Sequence, residues 1–544
     1  MAKIAGKNKS EKPLVIKSAQ NWVAYCYIIL MLGGFPLFYR NNYIDIMESK
    51  WLFFMVATLA AVVGIIIAYI RKWIAGPDVP VRKNAKNTEE VKKKGVWDYI
   101  VIPDIFLVVL AIGIIFSWIG VSQYDYFVEA WDGSQGKMAG VFFYLMLILA
   151  YIVVSRFVIF DGHIITVYLW VNLIVFALAI FNHFSIDILH MYENLVEDQY
   201  WMFCSTMGNI NVLAGYFCVF VPVTVVCFIF ARDVWAQIAY GCIMTVSFMG
   251  IVAANGDSAI LGVGAAFLFI FFFCFENWER LSRFFMAVAL FFTGTAIVGA
   301  LDTKYADIVK EPLETFPAFV SNSSVNRIGI VLFWVLAVAC YFLNKKDFRV
   351  DFLKLVRNIF FGIIVLAILA GIGTFLYFSL VDVERDLGQW ETYLRYSDLW
   401  GSSRGFTWTR VWLLFTEYYE PYEQVFGFGP DLMVVPLHTY FDEEIFAKMG
   451  AYLVDAHSEF FQTLGSLGVV GVIGYFGFQI SVFVRLLKNR KTYFFLLAIS
   501  AAVVGYVVQG MLGSPQTFST PMLFIFIALG EAIIRNGYIE EAIE

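Results

Sequence analysis

Apolar runs of roughly 17 to 22 residues recur along the chain, each long enough to cross a hydrocarbon core about 30 Å thick at about 1.5 Å per residue. A helix satisfies its backbone hydrogen bonds internally in that medium, so the runs predict helices and not strands. They begin near Trp22, Trp51, Tyr99, Ala139, Ile164, Ile210, Ala236, Ser258, Phe284, Arg327, Ile359, Leu467, Phe494 and Pro521, which makes fourteen. Between them the cations gather in alternate connections. These are the tail with Lys3, Lys7, Lys9, Lys12 and Lys17, and the segment holding Arg71, Lys72, Arg82, Lys83, Lys86, Lys92, Lys93 and Lys94. Arg156, Arg232, Arg280 with Arg283, the Lys345 to Arg357 connection and Lys488 to Lys491 follow. All fall on one side of a fourteen-span arrangement. The positive-inside rule makes that side cytoplasmic and puts both termini there. The first apolar stretch lacks a small-residue cleavage site, so it is expected to be a retained anchor.

Composition agrees with the pattern. Hydrophobic residues make up 60% of the 544 positions and charged residues 15%. A soluble domain of this size does not carry that balance, because a core surrounded by water stops growing near about 250 to 300 residues. The net charge of −6 is small for the length and spread among loops, so nothing points to nucleic acid or to an acidic partner. Cys26, Cys218, Cys227, Cys242, Cys274 and Cys340 fall in apolar runs and Cys204 near an outer connection. They predict small core residues, without a disulfide framework or a CxxC metal pair.

Two outward connections are long: Asn182 to Asn209, and Asp382 to Ala456, which is some 75 residues. Loops beyond about 15 residues are usually functional or disordered. The second is rich in Trp, Tyr and Phe, which argues that it folds and caps the bundle. Trp408, Val411, Trp412, Leu414 and Phe415 stand at helical spacing, predicting a helix from Trp408 to Tyr419 lying at the interface. The chain therefore divides into N-terminal spans with a basic cytoplasmic loop (1–206), a transmembrane core (207–381), the large outer loop (382–456) and C-terminal spans (457–544).

Ionisable residues deep in the spans are few, with Asp104 and Glu531 the main ones, and that scarcity weighs against an ion-driven pump. The outer loop, by contrast, carries Arg385, Arg395, Arg404, Arg410 and Lys448 where positive charge is otherwise thin. Cations placed against the topological bias suggest an anionic ligand. In GSSRGFTWTRVW, Gly401 to Trp412, Arg404 and Arg410 stand six residues apart and project from opposite faces of a continuous helix. If Ser402 or Ser403 caps a helix beginning near Arg404, that guanidinium meets free amides at a positive N-terminus, an anion site suited to diphosphate. The other reading has these arginines holding lipid headgroups or carboxylates such as Glu417 and Glu420, and the stretch alone favours it.

His457, with Asp455 before it and Glu459 after it, stands at the outer mouth of the twelfth span. A neutral imidazole there, oriented by Asp455, can take a proton from an attacking hydroxyl; a histidine at a helix start is also an ordinary interfacial or capping residue. His183, His190 and His438 face outward as well, but no HxxxH or HExxH spacing links them, so no metal site is expected. Gly465, Gly468, Gly471 and Gly474 recur every three residues, which suits close helix packing. The run GFGP, Gly427 to Pro430, reads as a tight turn inside the loop or as backbone amides brought to a ligand.

Four segments, taken in order, resemble the O-antigen ligase and O-antigen polymerase superfamily. MGNINVLAGYF, Met207 to Phe217, looks like that family's GNxNxxAG helix start. NGDSAILGVGAAF, Asn255 to Phe267, lies where the family shows SRxxxL. SSRGFTWTRVWLLFTEYYEPYEQVFGFGPD resembles the outer loop's RxxxW and GxG, and AHSEFFQTLGSLGVVG looks like AHNxxLxxLxExGxxG after that loop. The likeness runs from about Met207 to the C-terminus. Departures are plain. Ala259 follows Ser258 where the family has arginine, leaving Asp257 there; Ser458 replaces asparagine; Ser466 stands where glutamate is common. Two N-terminal helices exceed the family's usual twelve.

The resemblance implies an all-α, GT-C-like glycosyltransferase of the bacterial inner membrane, metal-independent and inverting, without a cofactor. Its donor is an undecaprenyl-diphosphate-linked glycan and its acceptor a glycan or lipid-linked glycan. Arg404, with Arg410, would neutralise the departing diphosphate, and His457 would position or deprotonate the acceptor. Asn209 and Asn211 contact sugar or cap the sixth span, and Ser258 falls in the donor-binding segment. The sequence does not separate polymerase from ligase. A flippase or exporter of lipid-linked glycan is the alternative, and would show a charged central cavity and no folded outer loop. A structural or sensory membrane protein would tolerate replacement of Arg404 and His457.

Overall fold

A computed structural model of the chain describes residues 18–75, 100–134, 137–450, 452–513 and 517–539. The expected basic tail (Lys3 to Lys17), the cations Arg82 to Lys94 and the expected helix start at Tyr99 lie outside the described residues. The other thirteen expected starts fall inside a helix or within two residues of one.

The protein is an all-α polytopic membrane protein. Among the described residues eleven helices are long and apolar enough to cross a membrane, and Val141–Phe157 and Phe495–Gly510 are shorter apolar helices. The remaining expected span is Ala19–Ile29, which continues as the π-helical turn Leu30–Gly34. Burial identifies the solvent. The most apolar 18-residue stretch of Ile210–Phe230 is wholly buried, whereas none of the equally apolar stretch of Asp351–Leu380 is. A soluble protein does not leave such a face in water; in lipid it costs nothing. Ile210–Phe230 is thus the centre of the bundle, and Asp351–Leu380 with Ser324–Lys345 its lipid-facing edge.

Several helices begin before the apolar run does. Asp351–Leu380 starts eight residues ahead of Ile359, so Lys354 and Arg357, expected in a connection, lie in its first turns. Trp278–Lys304 likewise takes up Arg280 and Arg283. A helix need not stop where the hydrocarbon does. Two of the cysteines, Cys26 and Cys242, are exposed on the outside of the bundle and not in its core.

Hydrogen bonds between helix ends define two faces. At the basic face Asp104, in the first turn of Ile102–Gly120, accepts from Arg156 at 2.7 Å and from Arg535 at 3.1 Å. Arg535 also pairs with Glu531, and Glu531 takes Arg485 at 2.6 Å. The two carboxylates singled out as intramembrane charges are thus one arginine-bridged cluster at the ends of four helices. On the opposite face, Lys50 is wholly buried and donates to the carbonyls of Phe35 (2.7 Å) and Pro36 (2.8 Å) just past the π-helical turn.

The outer loop folds. Phe406, Val411, Leu414, Leu432, Met433, Leu437, Phe441 and Ile445 form a core of their own, joined by Val121 and Ala130 from the first third of the chain. Its amphipathic helix runs Trp400–Leu413 and continues as a π-helical turn Leu414–Tyr418, two turns earlier than the expected Trp408 start. Val411 and Leu414 are buried while Trp412 remains half exposed.

The glycine run does more than ease packing. Glu459–Asn489 is broken at Gly468 (φ 62°, ψ −165°). The break releases carbonyls that the loop then satisfies. Gly465 O accepts from the Phe428 amide (3.1 Å) and the Tyr419 hydroxyl (2.8 Å); Ser466 O accepts from the Gly429 amide (3.1 Å) and the Ser117 hydroxyl (2.7 Å). The GFG turn is therefore a strap hydrogen-bonded into a broken helix, and a Cβ at Gly427 would overlap the Ser466–Leu467 peptide.

Candidate functional site

Four segments meet at the outer-loop end of the bundle: residues 133–134 with 137–140, the start of Asp257–Cys274, the helix Trp400–Leu413, and residues 452–458 ahead of Glu459–Asn489. Trp408 fixes two of them. Its indole donates to the Ala456 carbonyl at 2.9 Å and stacks on Phe461 at 5.2 Å. Arg404, one helical turn before Trp408, is thereby brought to the segment that carries His457. The RxxxW spacing acquires a structural meaning: the tryptophan is the anchor and the arginine the group delivered.

His457 sits in a left-handed backbone conformation (φ 47°). Asp455 fixes it twice. Oδ1 accepts from the His457 amide at 2.6 Å and lies 3.0 Å from Nδ1. The tautomer that satisfies this geometry carries its proton on Nδ1 and leaves the Nε2 lone pair open. Lys137 closes the other side of Asp455 as an ion pair, with both side chains largely buried. Burial alone would raise the Asp455 carboxyl, but Lys137 and His457 outweigh it and hold it well below the usual carboxylate range. For His457, burial pulls the pKa down, Asp455 pushes it up, and Lys137 and Arg404 pull it down again. The ring is 42% exposed, yet enough protein surrounds it that the net direction is down. The imidazole is neutral at neutral pH.

Arg404 is a half-buried guanidinium facing Asp455 and Asp257. Nη1 donates to the Gly401 carbonyl at 2.9 Å, while Nε is buried with no hydrogen-bond partner. A buried donor left unmade costs about 1 to 3 kcal/mol, so the position favours a ligand oxygen. The helix around it differs from expectation. Its N-cap is Leu399 and not a serine, and Gly401 (φ 59°) and Ser403 (φ 69°) distort the first turn. The Ser403 and Phe406 amides are spent on Leu399 and Asp398 carbonyls. The helix start therefore offers no serine-capped terminus, and the group it presents is the Arg404 guanidinium.

The other expected residues divide. Arg410 is bound on the far face, by Glu444 (2.7 and 2.9 Å) and Asp398 (3.3 Å), and lies over Phe406 at 4.2 Å. The structure does not bring it to the Arg404 cluster, and the carboxylate reading describes it. Asn209 caps Ile210–Phe230 by accepting from the Asn211 amide at 2.8 Å; Asn211 itself is exposed. Ser258 is in the first turn of its helix beside Asp257. Glu459 does not stand beside His457 but is buried in the bundle, accepting from Tyr506 (2.8 Å) and Tyr475 (3.3 Å). The outward histidines go to separate carboxylates: His183 to Asp302, His190 to Glu193 and His438 to Asp442. Among the described residues no group of three or more His, Cys, Asp or Glu side chains is placed to hold a metal ion.

Sequence reasoning missed Lys137 and Asp431. Asp431 accepts from the Ser134 amide and hydroxyl (2.8 Å each) and the Ala139 amide (3.2 Å), so Ser134, Lys137 and Ala139 are clamped to the outer domain at Asp431 and Asp455. The signal was a lysine in the outward run DGSQGKMAG, against the charge bias. Asp257, a departure from the family pattern, lies close enough to Arg404 for their charges to interact. Glu314 is held nearby because Asn255 donates to the Pro312 carbonyl (3.0 Å) and accepts from the Glu314 amide (3.0 Å). The cluster holds a base oriented by a carboxylate, one incompletely bonded guanidinium, and a second carboxylate facing it. Such a set can move a proton off a hydroxyl and hold an anionic leaving group. No family model, curated protein or solved structure matches this chain.

Proposed function

We propose that the chain is a membrane glycosyltransferase that transfers or polymerises undecaprenyl-diphosphate-linked glycan at the extracytoplasmic face of a bacterial inner membrane. It does so in a GT-C-like, fourteen-span arrangement with both termini cytoplasmic. The observation that carries the proposal is the meeting of Arg404, with its unpartnered buried Nε, and His457, oriented and kept neutral beside Asp455 and Lys137. The order of the four segments that resemble the superfamily supports the same reading.

The acceptor hydroxyl gives its proton to His457 Nε2 as its oxygen attacks the anomeric carbon. The bond from that carbon to the diphosphate oxygen breaks, its electron pair leaves with undecaprenyl diphosphate, and the sugar inverts. Arg404 meets the charge that develops on the leaving oxygens. Asp455 holds the imidazole in the tautomer this requires and stabilises the imidazolium that forms. The folded outer domain supports this reading over a flippase, because a transporter needs no fixed base and guanidinium outside its spans.

Purified protein supplied with lipid-diphosphate glycan tests it. Chain growth or transfer to a second glycan, lost in Arg404→Ala and His457→Ala, is the expected result; flipping of the lipid without bond exchange would overturn it.

A further inference from the structure

At the basic face, some 31 helical residues away from His457 along Glu459–Asn489, lies a cavity of about 750 Å³. That volume is of ligand size. It opens where Ile210–Phe230 turns into Val234–Ala253, where Asp257–Cys274 turns into Trp278–Lys304, and where Glu459–Asn489 turns into Phe495–Gly510. Five cations line it: Arg232, Arg280, Arg283, Arg490 and Lys491. Among the described residues Glu276 and Glu279 are its only lining carboxylates, so that lining carries five positive and two negative charges, a surplus of three.

The guanidinium groups are fixed in place. Arg280 pairs with Glu276 and lies 4.3 Å over the Phe230 ring. Arg283 pairs with Glu279 at 2.7 Å and donates to the Ile229 (2.9 Å) and Ala231 (2.5 Å) carbonyls. Arg490 lies 5.0 Å over Phe273. At the rim, Arg232 and Lys491 are exposed and carry no ion pair among the described residues. Three uncompensated charges around one cavity repel each other, and a multivalent anion removes that repulsion. Several fixed donor forks suit phosphate oxygens. Phe230, Phe273 and Leu497 are apolar members of the lining, and the site is at the water-facing ends of membrane helices.

We infer that this cavity binds a phosphate group, presented as the headgroup of an anionic phospholipid of the surrounding membrane. The site is independent of the transfer chemistry proposed for the opposite face.

The test uses the full-length protein in detergent, titrated with phosphatidylglycerol, phosphatidylcholine or inorganic phosphate and read by native mass spectrometry and thermal unfolding. Arg232→Gln with Lys491→Gln removes two exposed rim cations and leaves the buried contacts intact. Phosphatidylglycerol is expected to bind and stabilise, phosphatidylcholine not, and the double variant is expected to bind about 30-fold more weakly. Equal stabilisation by inorganic phosphate, also lost in the double variant, would assign the site to a soluble phosphate compound and support its chemistry. Equal binding of both lipids, an unaffected double variant, or no response to phosphatidylglycerol and phosphate would overturn it. Glycan transfer, or its absence, bears on none of these outcomes.

Discussion

Asp455 grips His457 at two points, the backbone amide at 2.6 Å and the ring Nδ1 at 3.0 Å, while Lys137 neutralises it from the other side. One carboxylate thereby fixes a backbone, a tautomer and a ring orientation.

The pH dependence of activity follows from that arrangement. The working form of His457 is the neutral ring, so activity is lost as pH falls through its folded pKa, which lies below the ordinary 6.5. Lys137 and Arg404 lower that pKa and Asp455 raises it. Lys137→Met should therefore move the acidic limb of the pH–rate profile to higher pH, and Asp455→Asn should move it lower while also reducing turnover. Shifts in the same direction in both variants would contradict the assignment.

Asp257 acts electrostatically on Arg404 and would oppose the diphosphate proposed to bind there. Asp257→Asn should tighten binding of a lipid-diphosphate donor roughly tenfold, the equivalent of one pKa unit of charge interaction. A titration showing weaker binding would mean that Asp257 touches the donor directly.

The fold was legible in the sequence wherever hydropathy alone decides. Ile210–Phe230 and Asp257–Cys274 begin at or one residue from the expected positions, because an apolar run of membrane length has one stable conformation. The break at Gly468 was not legible, since three-residue glycine spacing fits packing equally well; only the strap from Phe428 and Gly429 shows why the chain leaves the helix there. At the site, Arg404 was readable as an outward charge and His457 as an outward imidazole, both in motif-like spacing, and their opposite, Arg410, was readable only as projecting from another face. Lys137 was readable only as a lysine against the charge bias, and its partner was not readable. Lys137 is some 320 residues from Asp455 in sequence, and a pairing across that distance leaves no local pattern.

Gly468→Ala should destabilise the protein by about 3 kcal/mol or more, through strain at positive φ and overlap with the Val425 to Gly427 backbone. Ser117→Ala, which removes only one of two donors to Ser466 O, should cost about 1 kcal/mol. Unfolding midpoints in graded SDS measure both, and equal effects would argue against the strap.

Glu531 is wholly buried and joins Arg485 to Arg535. Glu531→Leu takes the carboxylate away from Arg485 and leaves Arg535 with Asp104, and about 3 to 5 kcal/mol of stability should be lost by the same measurement. A neutral effect would show that Asp104 alone satisfies the cluster.

The most direct test of the central claim is a single-turnover reaction with a lipid-diphosphate glycan in the presence of EDTA, following release of undecaprenyl diphosphate and formation of the new glycosidic bond together. The account predicts one diphosphate released per bond formed, undiminished by chelator. Arg404→Ala should slow it about 100-fold to 1,000-fold and His457→Ala about 100-fold or more, with partial recovery in Arg404→Lys. Transfer that proceeds at the wild-type rate in either alanine variant, or that requires a divalent cation, would contradict it.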